Sequence, residues 1–289
     1  HLVVLGIFKY LDFLAGIIGR LTGTTLPASE IVLPIGISFF TFQVISYLID
    51  IRRGDAPRYG FRRFAVVIML FPHLIAGPIV RHAELVPQLD ADPRRAGLAE
   101  RVAQGLALFI VGMATKVFLA DKLAPHADLI FDKAGRAGPG FVEAWGGALA
   151  FSLQIYFDFA AYSEMAIGLA LLLGLRFPPN FDMPYRATSL REFWRRWHMS
   201  LSRFLRDYLY VPLGGGRHGF QRFALATLVT MGLCGLWHGA GWPFVAWGLL
   251  HGAGLIVCRA WQQGAPPLPA PARWLLTFLF VVAVFVPFR

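Results

Sequence analysis

Cysteine, lysine and charge of any kind are scarce in this chain of 289 residues. The two cysteines, Cys234 and Cys258, both sit in apolar runs, which excludes a disulfide framework and a thiolate metal cluster. Charged residues make up 15% and hydrophobic ones 56%, whereas a soluble globular domain carries about 25% charged residues. That balance excludes a disordered, low-complexity or collagen-like chain and leaves a polytopic membrane protein. Acids are scarcer than bases, 17 Asp+Glu against 27 Lys+Arg, for a net charge of +10. Four of the bases are lysines (Lys9, Lys116, Lys122 and Lys133), so arginine carries the excess. In a soluble protein such an excess points to nucleic acid. In a membrane protein it marks loops held on the cytoplasmic side, and no nucleic-acid partner is expected. No signal peptide is expected, and no repeat of fixed period is found. The chain starts at His1 inside one apolar run and ends inside another, so residues 1–289 read as a single membrane domain, a fragment cut at both ends.

What is present is long apolar sequence. A spanning helix needs about 20 mostly apolar residues. Residues 31–49 form an uncharged run of that kind, and the run before Arg20 is a candidate. Residues 64–80 are apolar but broken by Pro72, Gly77 and Pro78, which predicts a kinked or re-entrant helix whose freed backbone groups find protein or water partners. Residues 103–120 follow. Residues 144–175 are too long for one span and read as two segments or one extended span. A close pair, 223–237 and 242–257, surrounds a Gly-Pro turn, and 274–288 is the last run. The sum is an all-α bundle of roughly eight or nine membrane segments with re-entrant or interfacial helices.

The loops set the orientation. Residues 50–63 hold five arginines against two aspartates, and residues 186–222 hold eight arginines against Glu192 and Asp207. Both are expected on the cytoplasmic side. Within the second block, Ser189 followed by Glu192 predicts a capping box. Apolar Phe193, Trp197, Leu201, Phe204, Leu205 and Tyr208 recur at helical steps, opposite Arg195, Arg196, Arg203 and Arg206. The pattern fits an amphipathic helix lying on membrane lipid. It also fits a basic cradle for a phosphate-rich or acidic donor, with His198 at the edge between the faces.

Ionisable residues inside a membrane are costly and are site candidates by default. Gln154, Asp158 and Tyr162 are spaced by four and share a helical stripe; Asp158 is either polar glue paired with an arginine or a functional acid. His73 lies beside a helix break, and His251 has no charged neighbour. His238 closes an uncharged run and opens the turn Gly239–Pro243 between Trp237 and Trp242. A neutral imidazole there suits a general base, and a packed, hydrogen-bonded histidine fits the same position. No second ligand lies at metal spacing within either helix, so no metal is expected. These residue types fit an enzyme and a transporter alike.

The stretch PNFDMPYRATSLREFWRRWHMSLSRFLRDYLYVPLGGGR from Pro179 resembles the signature of the membrane-bound O-acyltransferase family, in its alginate O-acetyltransferase branch. Four further segments agree in the same order: GISFFTFQVISYLID from Gly36, FPHLIAGPIVR from Phe71, LQIYFDFAAYSEMAIGL from Leu153 and GLWHGAGWPFVAWGLLHG from Gly235. Small departures are Ala160-Ala161 where Ser-Gly is common and Glu164 where Asp is frequent. The resemblance implies a multi-pass bundle in the inner membrane that moves an acyl group from a cytoplasmic donor towards hydroxyls of an exopolysaccharide. It makes His238 the essential residue and His198 a second functional position. His238 is then expected to act as general base, with the amides of 239–241 or the indoles of Trp237 and Trp242 as oxyanion donors. Arg195, Arg196, Arg203 and Arg206 would receive the donor, acetyl-CoA or an acyl carrier protein, with Asp158 and His251 near the substrates and no bound cofactor. Periplasmic acetyltransferase proteins and a polysaccharide acceptor are the implied partners. D-alanyl transfer to a cell-wall polymer and a non-catalytic acyl conduit are the rival readings.

Overall fold

A computed structural model describes residues 2–24, 29, 31–136, 138–266 and 268–289, and every regular element among them is helical. Among the described residues six helices are long and apolar enough to cross a membrane, and the chain is a polytopic helical membrane protein. They are α1 (Leu2–Thr22), α5 (Leu98–Ala134), α6 (Phe141–Leu172), α9 (Gly219–His238), α10 (Trp242–Gly264) and α11 (Ala270–Val284, extended by a turn to Phe288). Between them lie the shorter helices α2 (Ile37–Arg53), α3 (Phe61–Met69), α4 (His82–Leu85), α7 (Leu190–Arg196) and α8 (Met199–Leu205).

Six spanning helices are fewer than the eight or nine that apolar runs alone lead one to expect, and local chemistry explains each difference. The run 31–49 becomes helical only at Ile37, after Pro34 and a left-handed Gly36 (φ 76°). The resulting 17 residues of α2 reach about 25 Å at 1.5 Å each, short of a ~30 Å hydrocarbon core. Glycine is required at position 36 because a β-carbon there would overlap the Leu74 carbonyl. Residues 64–80 break as the prolines foretell: α3 stops at Met69 and a short turn, Phe71–His73, follows. The freed groups are satisfied by protein, since His73 Nε2 lies 3.1 Å from the Val67 carbonyl and Ile79 N–H donates to Ser200 Oγ at 2.8 Å. The long run 144–175 is one helix, α6, whose 32 residues extend well beyond a bilayer's thickness.

Small residues decide how the long helices pair. In α5 and α6, Gly105 backs onto Gly168, where a β-carbon on Gly105 would come within 2.8 Å of the Gly168 carbonyl. In α9 and α10, Gly235 and Gly248 let each backbone rest on the other; a β-carbon on either would overlap a carbonyl of the facing helix. α9 and α10 are joined only by Gly239–Gly241, so they run antiparallel and hold His238 at their shared turn.

The arginine segment departs from one amphipathic helix on lipid. α7 ends at Arg196, Trp197 is extended, and His198 takes a left-handed conformation (φ 42°) before α8 begins. The apolar face is packed into the protein core: Phe193, Trp197 and Leu201 are buried with Trp247 and Phe285. The predicted cap forms with one shift. Ser189 Oγ accepts from Glu192 N–H at 3.2 Å, while the Glu192 carboxylate binds Thr188 N–H at 2.8 Å instead of the Ser189 amide. That bond, with burial opposing it and Arg196 assisting, holds the Glu192 carboxyl below its usual range.

The bundle has two chemically distinct ends. At one, Tyr208 donates to Asp50 at 2.7 Å and packs under the guanidinium groups of Arg53 and Arg81, bringing the two basic segments together. At the other, the start of α2 meets the end of α9 through Trp237 Nε1 and the Ser38 carbonyl, 3.3 Å apart.

Candidate active site

Two cavities flank the break at His198. The smaller, ≈ 390 Å³, is lined by His238, His198, Asp158, Trp237, Trp247 and Lys9 among others. The larger, ≈ 900 Å³, lies towards the basic end and is lined by Arg191, Arg195, Arg203, Arg206, Arg259 and Tyr210 among others. The partition between them is thin. Trp194 lines the larger cavity and Trp247 the smaller, and their rings meet edge to face at 5.9 Å.

His198 is fixed by its surroundings. Asn180 Oδ1 accepts from Ser200 Oγ at 2.8 Å and lies 3.1 Å from His198 Nδ1. An amide oxygen only accepts, so Nδ1 carries the proton and Nε2 keeps its lone pair, unpartnered among the described residues, at the cavity wall. The left-handed backbone is held by Met199 N–H on the Asn180 carbonyl (2.9 Å) and Asp182 N–H on the Arg196 carbonyl (2.9 Å). Burial, then the nearby His238, pushes the His198 pKa well below its usual value, so the ring is neutral at pH 7. His238 is more open. Its ring sits between Trp237, Trp247 and Phe288, partly exposed to the cavity, with no side-chain hydrogen bond among the described residues.

The structure gathers some of the other sequence candidates and scatters the rest. Trp237 lines the smaller cavity with the two histidines. Asp158 lines it too, but its partner is Lys116 at 3.1 Å and not an arginine. His251 is fully buried behind Trp247, accepting from Trp194 Nε1 at 3.3 Å, and does not line this cavity. Trp242 is 56% exposed and packs on Phe13 outside the cavity. Of the four arginines, Arg195, Arg203 and Arg206 line the larger cavity. Arg203 pairs with Glu84 at 3.0 Å and Arg206 with Asp207 at 2.7 Å. Burial opposes ionisation of Asp207, but the bonds from Arg206 and Arg81 prevail and keep its pKa low. Arg196 points elsewhere, into ion pairs with Asp182 and Glu192.

Three of the expected oxyanion donors are already engaged, and the Trp242 indole lies outside the cavity. Trp237 Nε1 donates to Ser38, Gly239 N–H to the Gly235 carbonyl and Gly241 N–H to the Gly239 carbonyl. Several residues at the cavities escaped the sequence reading. Arg191 lies one turn before Arg195, so helical spacing could have found it. Arg259 is an isolated charge late in an apolar helix, the kind of residue that marks a site by default. Asn180 lies inside the signature stretch. Lys9, a charge inside the first apolar run, carried the same kind of signal as Arg259. Among the described residues, no three His, Cys, Asp or Glu side chains converge as a metal site would require.

Residues 52–286 match the family model described as MBOAT, membrane-bound O-acyltransferase family. Among curated proteins, the chain is 46% identical to the "Probable alginate O-acetylase AlgI" of Azotobacter vinelandii, over 100% of this chain and 58% of that protein. It is 38% identical to the "Peptidoglycan O-acetyltransferase" of Helicobacter pylori, over 99% of this chain and 59% of that protein. With the "Teichoic acid D-alanyltransferase" of Streptococcus thermophilus it shares 29% identity, over 79% of this chain and 57% of that protein. The chain thus spans under three fifths of the length of each of these relatives.

Proposed function

The chain belongs to the membrane-bound O-acyltransferase family, and from that premise we propose that it transfers an acyl group, an acetyl, to hydroxyls of an exopolysaccharide such as alginate. The observation that carries the reading is the pairing of His238, open to the smaller cavity, with His198, whose tautomer is set by Asn180. The names of the relatives in Azotobacter vinelandii and Helicobacter pylori support O-acetyl transfer over other acyl groups.

In this reading the basic end faces the cytoplasm of a cell whose inner membrane holds the protein. The larger cavity takes the donor, acetyl-CoA or an acyl carrier protein. Arg191, Arg195 and Arg259, which carry no acidic partner among the described residues, meet its phosphates or carboxylates. The acetyl carbonyl is delivered past Trp194 and Trp247 to the smaller cavity. His238 takes the proton of the acceptor hydroxyl as its oxygen adds to the thioester carbonyl. The carbonyl π pair becomes an oxyanion, and collapse expels the donor thiolate, which receives the proton from His238. Periplasmic acetyltransferase partners belong to delivery of the group to the polymer.

The test is His238→Ala in the full-length protein, in membranes, assayed for polymer acetylation. General-base catalysis is worth about 10²–10⁴-fold, so activity should fall by at least that range's lower bound. Wild-type acetylation by the variant would sink the assignment.

A further inference from the structure

Acyl transfer at His238 creates an oxyanion, and the Gly239 and Gly241 amides and the Trp237 indole are spent on other acceptors. One charged donor remains at the cavity wall. Lys9 comes from α1, more than two hundred residues away in sequence, on a wider π-turn at Gly6–Tyr10 that lets two successive side chains reach the end of α9. Tyr10 OH donates to the Leu236 carbonyl at 2.9 Å, and Lys9 Nζ donates to the Trp237 carbonyl and, at 3.2 Å, to Ser38 Oγ. An ammonium has three N–H donors. Two are used, and the third is unassigned among the described residues on a side chain that lines the same cavity as His238 and His198.

The first turn of α2 faces the same space. Gly36, Ile37, Ser38 and Phe39 line the cavity, so the positive end of a 17-residue helix adds to the Lys9 charge. Both line the same cavity as His198, whose unpartnered, buried Nε2 is an acceptor that itself calls for a bound hydroxyl.

We propose that Lys9 is a further catalytic residue, its ammonium stabilising the oxyanion of the tetrahedral intermediate with the first turn of α2 behind it. The inference rests on acyl transfer at His238. Lys9 enters no bond-making step. It holds its proton throughout while the negative charge forms on the former carbonyl oxygen and is lost when the thiolate leaves. Its bonds to the Trp237 carbonyl and Ser38 Oγ keep it in place before the charge develops, as preorganised stabilisation requires.

The experiment compares Lys9→Met and Lys9→Arg with wild type and His238→Ala in full-length protein in membranes, with acetyl-CoA as donor probe. Removal of one oxyanion donor typically costs about 10²–10³-fold in kcat. Lys9→Met is expected to lose that much kcat with donor KM within about twofold, and Lys9→Arg to regain at least tenfold of it. If Lys9→Met does not yield folded protein by size-exclusion chromatography, Lys9→Gln, which keeps a donor but no charge, makes the same comparison. Near wild-type kcat in the neutral variant, or equal loss in the arginine variant, overturns the role of Lys9 while His238→Ala remains inactive. An active His238→Ala instead removes the premise.

Discussion

At His198, an imidazole with one nitrogen fixed on Asn180 and the other unpartnered is buried on a left-handed backbone. A non-glycine residue in that region is uncommon and costs energy, so the surrounding pairing of residues 180–182 with 196–199 must hold it there. Its protonation has a readable consequence. Unfolded, the ring titrates near 6.5; folded, burial and then His238 keep it well below. Above pH 6.5 both states are neutral and stability is unaffected. Below it the unfolded chain takes up a proton that the folded one refuses, so stability falls by up to about 1.4 kcal/mol per pH unit until the folded ring also titrates. Thermal unfolding in detergent between pH 7 and pH 5 should show this decline. His198→Asn, which tolerates the left-handed backbone, should make it shallower by one proton's worth. An unchanged slope would place the acid sensitivity elsewhere.

At the scale of helices, the site depends on how closely α9 and α10 approach. A β-carbon on Gly248 would overlap the Met231 carbonyl, so Gly248→Ala should force the pair apart and displace both His238 and Trp247. Overpacking costs typically about 1–3 kcal/mol. The variant should therefore unfold at lower temperature and lose activity, whereas Gly16→Ala, with open space around it in α1, should unfold no earlier than wild type. Equal behaviour of the two would show that the α9–α10 contact is slack. The pair itself was legible in the sequence, as two apolar runs around a Gly-Pro turn, and so was the Ser189 cap. Other features were not. Helical spacing read straight through His198, because the break is fixed by hydrogen bonds to Asn180, a residue 18 positions earlier. α2 was read as a span because an apolar run does not show where Pro34 and Gly36 delay the helix. Lys9 stood out only as a charge in an apolar run; its place at the site was hidden because its partners, Ser38 and Trp237, are brought to it only by the tertiary fold.

Across the whole molecule, the two cavities divide recognition from chemistry, and that division can be measured. Arg259 lies twelve residues beyond Trp247 on α10, about 18 Å along the helix axis, so the donor's charged end and the reacting carbonyl are bound far apart. Its guanidinium packs over the Phe223 ring at 4.1 Å, which fixes its position in the larger cavity. Arg259→Glu is therefore expected to raise the donor KM about tenfold or more with little change in kcat, and to weaken the rise of KM with salt. His198→Asn is expected to lower kcat and leave the donor KM near wild type, because the ring touches only the smaller cavity. Sites more than about 10 Å apart with no shared partner usually add within about 0.5 kcal/mol. The double variant should then lose kcat/KM by the product of the two single losses. A smaller loss would mean that the donor's charged end and the histidines share one site, and the Trp194–Trp247 contact would not be a partition. A larger loss would mean that binding at the arginines opens that contact, coupling the cavities through the two indoles.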